Sequence, residues 1–462
     1  MIFLKRAGYL PRKNSRQADG RRFGVGLEKL DRSLYDPADA YDRLAATGAR
    51  MVRIQSGWAK TETAKGRYDF GWLDEVADNL IKRGMEPWIC LCYGNPLYDP
   101  EATNAFDSVA CPPVGSEEAM EAWLAYSAAT ARHFRGRVSK YEIWNEPEWL
   151  WKGGSDPVAY GNFAARTAKA LKEADPASYV IAGALTYLDA DWAGKMLATG
   201  LGEYADAVSY HRYTAFPETL LEEVPRFRET LARHGVGDLI NGESGCQSAP
   251  FGAGALAEGA WNEDIQTKLT LRRALIDLMT GLTFSSVFTA VDIPEALPGV
   301  TGQGYFGLMK NEIVDGKITG RYLPKPSYFA YSHFVSAFEG EFTREDFPVT
   351  FHPSESPRLF SRDEDGSDFV RAGFRRRDGS AAFAWYKPTN VMTTSFSSTV
   401  SFSISGVSGE PKLIDLRDGS LYAFDDRTME VGDGVYHFSH VPVRDYPLAL
   451  LFGAFVRDGD KP

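Results

Sequence analysis

The feature that most constrains the fold is the alternation of short apolar runs with amphipathic helical stretches between residues 20 and 340. Strands that alternate with helices form βαβ units, and their strands lie parallel in one sheet. Eight such pairs predict a (β/α)8 barrel, although the fifth helix, near "ADWAGKMLATG", is weakly patterned. A doubly wound sheet is the alternative, but no glycine-rich G-x-G-x-x-G turn follows the first strand. The predicted strands are "RRFGVGLE", "RMVRIQ", "PWICLC", "KYEIW", "YVIAG", "ADAVSY", "DLIN" and "FSSVF".

The sequence changes character after about Gly340, where helical periodicity ends and strand-like alternation begins. The stretches "RRDGS" and "LRDGS" carry the Asp-Gly pair that favours tight β-hairpins. This part of the chain is therefore predicted to be an all-β module, most simply a sandwich. We expect three segments: residues 1–19, which could add a strand to the sandwich, a catalytic barrel over 20–340, and the β-sandwich over 341–462.

Charge and composition narrow the class of partner. A length of 462 residues is sufficient for a barrel and a smaller module, and the net charge is −11. An acidic chain lacks the general basic face that nucleic acids and anionic membranes require, so neither is expected as a partner. No Cys/His cluster has zinc spacing, and we predict neither a metal nor a cofactor. The N-terminus has no apolar core of signal-peptide length, which favours a cytoplasmic location.

Polar side chains follow several of the predicted barrel strands. In a (β/α)8 barrel the carboxyl ends of the strands form the active-site face. Two carboxylates fall there, Glu146 after the fourth strand and Glu243 after the seventh, in "INGESG". The other candidates at strand ends are Arg53, Gln55, Tyr93, Asn95, Asn145, His211 and Tyr213.

A pair of carboxylates across a barrel mouth suits glycoside hydrolysis. One group must stay protonated to donate to the leaving oxygen, and the other must be ionised to attack the anomeric carbon. A neighbouring cation or phenol stabilises the ionised form, and Arg53 and Tyr213 could do this for Glu243. A single Glu after a strand is more often a solvated loop residue, so the hypothesis depends on the pair.

The stretch "KYEIWNEP" resembles the acid/base motif of the clan of retaining glycoside hydrolases built on (β/α)8 barrels. In that clan an Asn-Glu pair ends strand 4 and a nucleophilic Glu ends strand 7. Within it the chain looks most like family 39, which includes β-xylosidases and α-L-iduronidases. The supporting stretches are "GRYDFGWLDEVADNLIKRGMEPWICL", "LPKPSYFAYSHF" and the trailing β-rich region.

The resemblance implies roles for individual residues. Glu146 would be the general acid/base and Glu243 the nucleophile, while Asn145 would hydrogen-bond the sugar 2-hydroxyl. Tyr213 matches an aromatic residue that touches the nucleophile in the clan. His211 and Arg53 match polar positions that line the sugar site.

Because of two departures from the family pattern, the resemblance does not predict which sugar is bound. Gln55 stands where the family usually has His after the second strand, and no Trp follows the eighth strand. Trp149 and Trp151, in the loop after the fourth strand, are therefore candidates for stacking on substrate, with ordinary loop packing as the alternative.

The leading prediction is a retaining exo-glycosidase that cleaves a terminal sugar from oligosaccharides or glycosides. An endo-acting polysaccharide hydrolase on the same scaffold is the alternative, and a non-catalytic carbohydrate-binding protein is a third hypothesis. The expected partner is a carbohydrate. The β-sandwich could also form the interface of a homo-oligomer.

Overall fold

The computed structural model describes residues 4–102, 107–297, 300–315, 317–352 and 363–455. After a first strand, β1 (Lys5–Tyr9), eight parallel strands close into a barrel in chain order, which confirms the predicted fold class. These strands are β2 (Phe23–Gly26), β3 (Met51–Gln55), β4 (Glu86–Leu91), β5 (Lys140–Ile143), β6 (Tyr179–Leu185), β7 (Ala207–Tyr210), β8 (Asp238–Asn241) and β9 (Ser285–Val287).

Helices connect the barrel strands and cover them from outside. The weakly patterned fifth helix does form, and the Asp189 side chain accepts hydrogen bonds from two backbone N–H groups of its first turn. The helices are α1 (Ala40–Ala45), α2 (Trp58–Thr61), α3 (Gly71–Ile81), α4 (Glu117–Phe134), α5 (Pro157–Ala174), α6 (Ala190–Leu197), α7 (Leu220–Arg233), α8 (Glu263–Met279) and α9 (Pro326–Ala337). Among the described residues, no helix is both long and apolar enough to span a bilayer.

Two antiparallel hairpins lie between β9 and α9, in a stretch that the sequence analysis treated as a connection. The first joins β10 (Ile293–Leu297) to β11 (Val300–Gly304), and the second joins β12 (Met309–Val314) to β13 (Lys317–Pro324). Both hairpins therefore follow the eighth barrel strand and lie at the carboxyl end of the barrel.

The remaining strands form two antiparallel sheets. One has the order β1-β20-β19-β23-β17-β16-β14 and the other β15-β18-β22-β21. Their inner faces pack together, with the ring of Phe402 at 5.5 Å from that of Trp385 and 5.8 Å from that of Phe383. The strands are β14 (Thr343–Arg344), β15 (Val349–Phe351), β16 (Val370–Arg375), β17 (Ala381–Tyr386), β18 (Ser397–Ser405), β19 (Pro411–Asp415), β20 (Ser420–Ala423), β21 (Met429–Gly432), β22 (Val435–Arg444) and β23 (Leu448–Phe452).

The sheet pairing explains two sequence signals. The Asp-Gly stretches join β16 to β17 and β19 to β20, and Gly379 and Gly419 there have φ of 87° and 73°. The first strand, β1, pairs antiparallel with β20. The N-terminal segment thus reaches past the barrel into the larger sheet.

Candidate active site

The centre of the barrel mouth is a buried arginine, Arg53 on β3. Its guanidinium donates to Glu142 Oε2 at 2.6 Å and to Asn145 Oδ1 at 2.8 Å, and its NH1 also pairs with Glu243 Oε1. One rigid fork of donors therefore fixes side chains from β5 and from the segment after β8. Removing it would leave buried carboxylates without their cation.

Glu243 is held as an anion. Its side chain is 8% exposed, and its second oxygen accepts a hydrogen bond from the Tyr213 hydroxyl at 2.7 Å. Burial alone would raise the pKa of Glu243, but His211, Arg53 and the Tyr213 hydroxyl together hold that pKa below its usual value. This is the environment that a nucleophilic carboxylate needs.

Glu146 lies on the opposite side of the mouth, where the chain turns sharply after β5. Its side chain is 22% exposed, and its Oε1 lies 3.1 Å from His211 Nδ1. The backbone φ of Glu146 is 49° and that of Trp144 is 66°, left-handed values that cost energy in residues with a side chain. This turn directs the carboxyl group toward His211.

His211, directly after β7, lies between the two carboxylates. Its Nδ1 is 3.7 Å from Glu243 Oε2 as well as 3.1 Å from Glu146. Burial would lower the pKa of His211, but the charge of Glu243 and the hydrogen bond to Glu146 outweigh burial and raise it. The histidine therefore contacts one carboxyl group and lies close to the other, at the point where the two approach each other.

The three side chains Glu146, His211 and Glu243 have potential ligand atoms within 4.8 Å of one another. Such a set could in principle surround a cation. However, Arg53 and Tyr213 already bond to the two oxygens of Glu243, and a guanidinium in contact with the cluster opposes a second positive charge. The arrangement fits a hydrogen-bonded acid pair better than a metal centre.

The other predicted residues fall into two groups. Gln55 and Tyr93 are buried at the mouth, where Gln55 Nε2 donates to the Tyr93 hydroxyl at 3.1 Å. Gln55 Oε1 accepts from the backbone N–H of Lys29 and from Arg32, both at 2.9 Å. Gln55 therefore holds the loop after β2, a structural task at the position where the family usually has His.

Asn95 and Trp151 are buried, and their side chains bond to or pack against neighbouring parts of the chain. Asn95 is buried and donates to the backbone carbonyl of Glu62 at 2.9 Å, so it fixes the loop after β4. Trp151 is 5% exposed and packs edge-on against Trp144 and Tyr160 in the core. A ring with so little free surface cannot stack on a sugar.

Trp149 has the opposite character. It is 64% exposed, its backbone N–H donates to the carbonyl of Glu146 at 2.9 Å, and its indole N–H donates to Thr186 Oγ1 at 3.0 Å. The ring of Tyr187, 48% exposed, lies 6.5 Å away. These two rings form an exposed aromatic rim beside Glu146.

Sequence reasoning missed two carboxylates of this site. Glu142, inside β5, pairs with Arg53, and Glu28, after β2, is also buried next to it. A usable signal existed for Glu28, because it stands two residues past the end of its strand, as Glu243 does after β8. For Glu142, a charged residue inside a four-residue buried strand indicated a partner within the barrel.

Comparison with known proteins supports this reading of the fold. The family model of glycoside hydrolase 42, beta-galactosidase, matches residues 36–105, a short part of the chain. No curated protein matched the sequence. A solved family 39 glycoside hydrolase from the gut symbiont Bacteroides cellulosilyticus WH2 aligns over 96% of this chain and 83% of its own, with 16% identity and a TM-score of 0.67.

Two further solved structures cover both chains almost completely. The family 39 enzyme from Xanthomonas axonopodis pv. citri aligns over 97% of each chain, with 18% identity and a TM-score of 0.62. A monomeric beta-xylosidase from Caulobacter crescentus CB15 aligns over 96% of this chain and 97% of its own, with 18% identity and a TM-score of 0.60. The resemblance predicted from the sequence, to (β/α)8 glycoside hydrolases and to family 39 in particular, is confirmed by the fold that this chain shares with them.

Proposed function

We propose that the protein is a retaining glycoside hydrolase that works by double displacement with Glu243 and Glu146. The observation that carries the proposal is the pair of carboxyl groups facing each other across the barrel mouth, with oxygens within 4.8 Å. Retaining enzymes place their two carboxyl groups about 5–5.5 Å apart, whereas inverting enzymes leave a wider gap for water. The fold shared with family 39 enzymes supports the same chemistry.

In the first step Glu243 attacks the anomeric carbon while Glu146 gives its proton to the leaving oxygen. A covalent bond forms between the sugar and Glu243, and the bond to the leaving group breaks. Arg53 and Tyr213 keep Glu243 ionised and aimed before the attack. The more open position of Glu146 gives the leaving group access to its proton.

In the second step Glu146, now ionised, takes a proton from water, and the water oxygen attacks the anomeric carbon. The ester to Glu243 breaks and the carboxylate returns to Arg53 and Tyr213. Asn145 supports both steps. Its amide oxygen is fixed by Arg53 at 2.8 Å, which leaves the NH2 group as the donor to the sugar 2-hydroxyl.

Exo action on a terminal sugar is the first candidate. The relative from Caulobacter crescentus is a beta-xylosidase, and it covers the whole fold of this chain, sandwich included. Endo action is the second candidate, because the exposed rim of Trp149 and Tyr187 extends beyond the acid/base and could hold further sugar units. The product profile on xylan oligomers and other oligosaccharides separates the two: monosaccharide alone indicates exo action, and mixed oligomers indicate endo action.

The test of the mechanism is Glu243→Ala, assayed on a panel of nitrophenyl glycosides. We expect turnover to fall by at least about 10³-fold, since the nucleophile is removed. Added azide should restore part of the rate and give a glycosyl azide of inverted anomeric configuration. Glu75→Ala, an exposed carboxylate on α3, is the matched control and should behave as wild type. Near-normal activity in Glu243→Ala would refute the proposal.

A further inference from the structure

The loop after β2 places a third carboxyl group behind the proposed nucleophile. Glu28 is 1% exposed, and its Oε1 lies 3.7 Å from Arg53 NH1. The same NH1 pairs with Glu243 Oε1. Glu28 and Glu243 thus face one guanidinium nitrogen from two different strand ends.

The backbone makes room for this carboxyl group. A Cβ atom at Gly26, the last residue of β2, would lie 2.1 Å from each carboxyl oxygen of Glu28. No side chain at position 26 could coexist with Glu28 in this conformation. The carboxyl group of Glu28 thus occupies the space that the missing side chain at Gly26 leaves open.

The Thr289 hydroxyl is shared between the backbone of Gly26 and the carboxyl group of Glu28. The Thr289 hydroxyl lies 2.8 Å from the carbonyl oxygen of Gly26 and 3.1 Å from Glu28 Oε2. A hydroxyl has one hydrogen, and a carbonyl can only accept. Since the shorter contact is to Gly26, Glu28 Oε2 receives at most a shared hydrogen bond from Thr289, which stabilises a buried anion only weakly.

The surroundings of Glu28 favour its un-ionised state. Burial and then the charge of Glu243 raise the pKa of Glu28, Arg53 and the hydrogen bonds of the site oppose them, and the result is a pKa of about 8. The other titratable groups that face it are the hydroxyls of Tyr35, in the loop after β2, and Tyr213, after β7. Among the described residues Glu28 Oε1 has no hydrogen-bond partner, so an ionised Glu28 would leave a buried charged oxygen without a donor.

We propose that Glu28 is a positioning residue for Glu243: it is protonated while Glu243 is an anion, and it ionises when Glu243 becomes an ester. This inference rests on the proposed function, in which Glu243 forms that ester. When the ester forms, Arg53 loses a carboxylate, and Glu28 releases its proton to water and takes the place of Glu243 beside NH1. When the ester is hydrolysed, Glu243 regains its charge and Glu28 takes a proton back from water. Arg53 thereby stays paired with the same number of carboxylates throughout the cycle.

Infrared spectroscopy tests the protonation without any knowledge of the sugar. We expect the wild-type-minus-Glu28→Gln difference spectrum at neutral pH to show the carbonyl stretch of a protonated carboxylic acid. The band should disappear as pH rises through about 8. Glu243→Gln imitates the uncharged ester, and in that variant the band should disappear at lower pH.

Two results would overturn the inference: no protonated-acid band from Glu28 at neutral pH, or a band whose titration does not move in Glu243→Gln. The pH titration of the wild type against that of Glu243→Gln compares the same band without a substitution at Glu28, so a poorly folded Glu28→Gln does not end the test.

Kinetics provide the second readout. Ionised Glu28 competes with Glu243 for Arg53 NH1, so wild-type kcat/KM should fall on the alkaline side with an inflection near pH 8. Glu28→Gln has the same shape but cannot ionise, so it should lose that inflection and also turn over more slowly at neutral pH, because no carboxylate replaces Glu243 beside Arg53 in the ester; Glu28→Ala should lose activity at all pH values. An unchanged inflection in Glu28→Gln would refute the role of Glu28 even if Glu243→Ala is inactive, and an active Glu243→Ala would refute the proposed function instead.

Discussion

The two carboxylates across the barrel mouth have contrasting surroundings. Glu243 is 8% exposed, and both of its oxygens are bonded, to Arg53 and to Tyr213. Glu146 is 22% exposed and contacts His211 at 3.1 Å from a backbone in the left-handed region. The first position stabilises an anion in place, while the second keeps a carboxyl group open to a partner and to solvent.

This difference shows how one barrel mouth can hold two roles for the same residue type. The cation that lowers the pKa of Glu243 reaches it from β3 through a guanidinium that is itself buried. At Glu146 the nearest ionisable contact is the imidazole, which it shares with Glu243. The proposed assignment of nucleophile and acid/base therefore depends on the contacts of each carboxylate. Substitutions that remove individual contacts can test that assignment.

The largest effect within this comparison is expected for Glu146→Gln. Loss of general acid/base catalysis should lower kcat/KM by about 10²–10⁴-fold on substrates with poor leaving groups. The loss in the first step should shrink for dinitrophenyl glycosides, whose leaving group needs no proton. Rates across a series of aryl glycosides measure this dependence.

Glu148→Gln is the matched control for that prediction. Glu148 is two residues away, its Oε1 accepts from the backbone N–H of Thr186 at 2.9 Å, and burial raises its pKa to about 7. Glu148→Gln should leave the dependence of the rate on the leaving group unchanged. If Glu148→Gln rather than Glu146→Gln altered that dependence, the acid/base would be Glu148.

Arg53→Ala should have the next largest effect, and its signature is stability. Removing one partner of a buried ion pair costs about 3–5 kcal/mol, because Glu142 and Glu243 stay buried without their cation. The deficit should be greatest at neutral pH and shrink as pH falls, because protonation relieves the unpaired carboxylates. Urea unfolding at several pH values measures this dependence, and a pH-independent deficit would contradict it.

In the wild type, by contrast, the stabilisation that this site provides should decrease as pH falls. The pKa of Glu243 is lower in the folded chain than its usual value, so ionised Glu243 stabilises the fold above that usual value. The contribution is lost as pH falls through the folded-state pKa. Arg53→Lys keeps the charge without the fork of donors and should lie between wild type and Arg53→Ala.

Tyr213→Phe should have a smaller effect that is specific to Glu243. It removes the hydroxyl that donates to Glu243 Oε2 at 2.7 Å and helps to lower the pKa of Glu243, so this pKa should rise. The acid limb of the kcat/KM profile should move to higher pH by the same amount. Tyr210→Phe, whose ring lies 5.8 Å from Arg273 on the helix side of β7, should leave the limb in place.

Much of this site was predictable because barrel topology converts order along the chain into position in space. Once the eight strands are recognised, Arg53, Glu146, His211 and Glu243 all fall at strand ends of one face. The closed barrel brings these strand ends together, and the four side chains are in contact.

The remaining features of the site depend on the direction of each side chain, which the position of a residue along the chain does not determine. Trp149 and Trp151 stand two residues apart in the same loop, yet one is at the rim and the other is in the core. Asn95 follows its strand as Asn145 does, but it bonds to loop backbone. Glu28 follows β2 as Glu243 follows β8, but a strand-end position does not indicate that the two carboxylates share one arginine.

The smallest predicted effect is that of Trp149→Ala, and it contrasts the exposed aromatic rim with the buried core. Trp149→Ala should raise KM by about twofold to thirteenfold, the range expected when an aromatic contact worth about 0.5–1.5 kcal/mol is lost, and should leave stability nearly unchanged. Trp151→Ala should instead destabilise the protein by about 3–5 kcal/mol, because it opens a cavity beside Trp144 and Tyr160. Thermal unfolding and initial rates on both variants measure the contrast.

The length of substrate sharpens this last comparison. If the rim of Trp149 and Tyr187 holds sugar units on the leaving-group side, the KM increase in Trp149→Ala should grow from an aryl monoglycoside to an oligosaccharide. If the enzyme contacts only the terminal sugar, the increase should be the same for both. Tyr187→Ala should follow the same trend, since the two rings share the rim, and a length-dependent effect in one variant alone would show that the other ring only supports its neighbour. The outcome bears on exo against endo action, because an endo-acting site must bind sugars on both sides of Glu146.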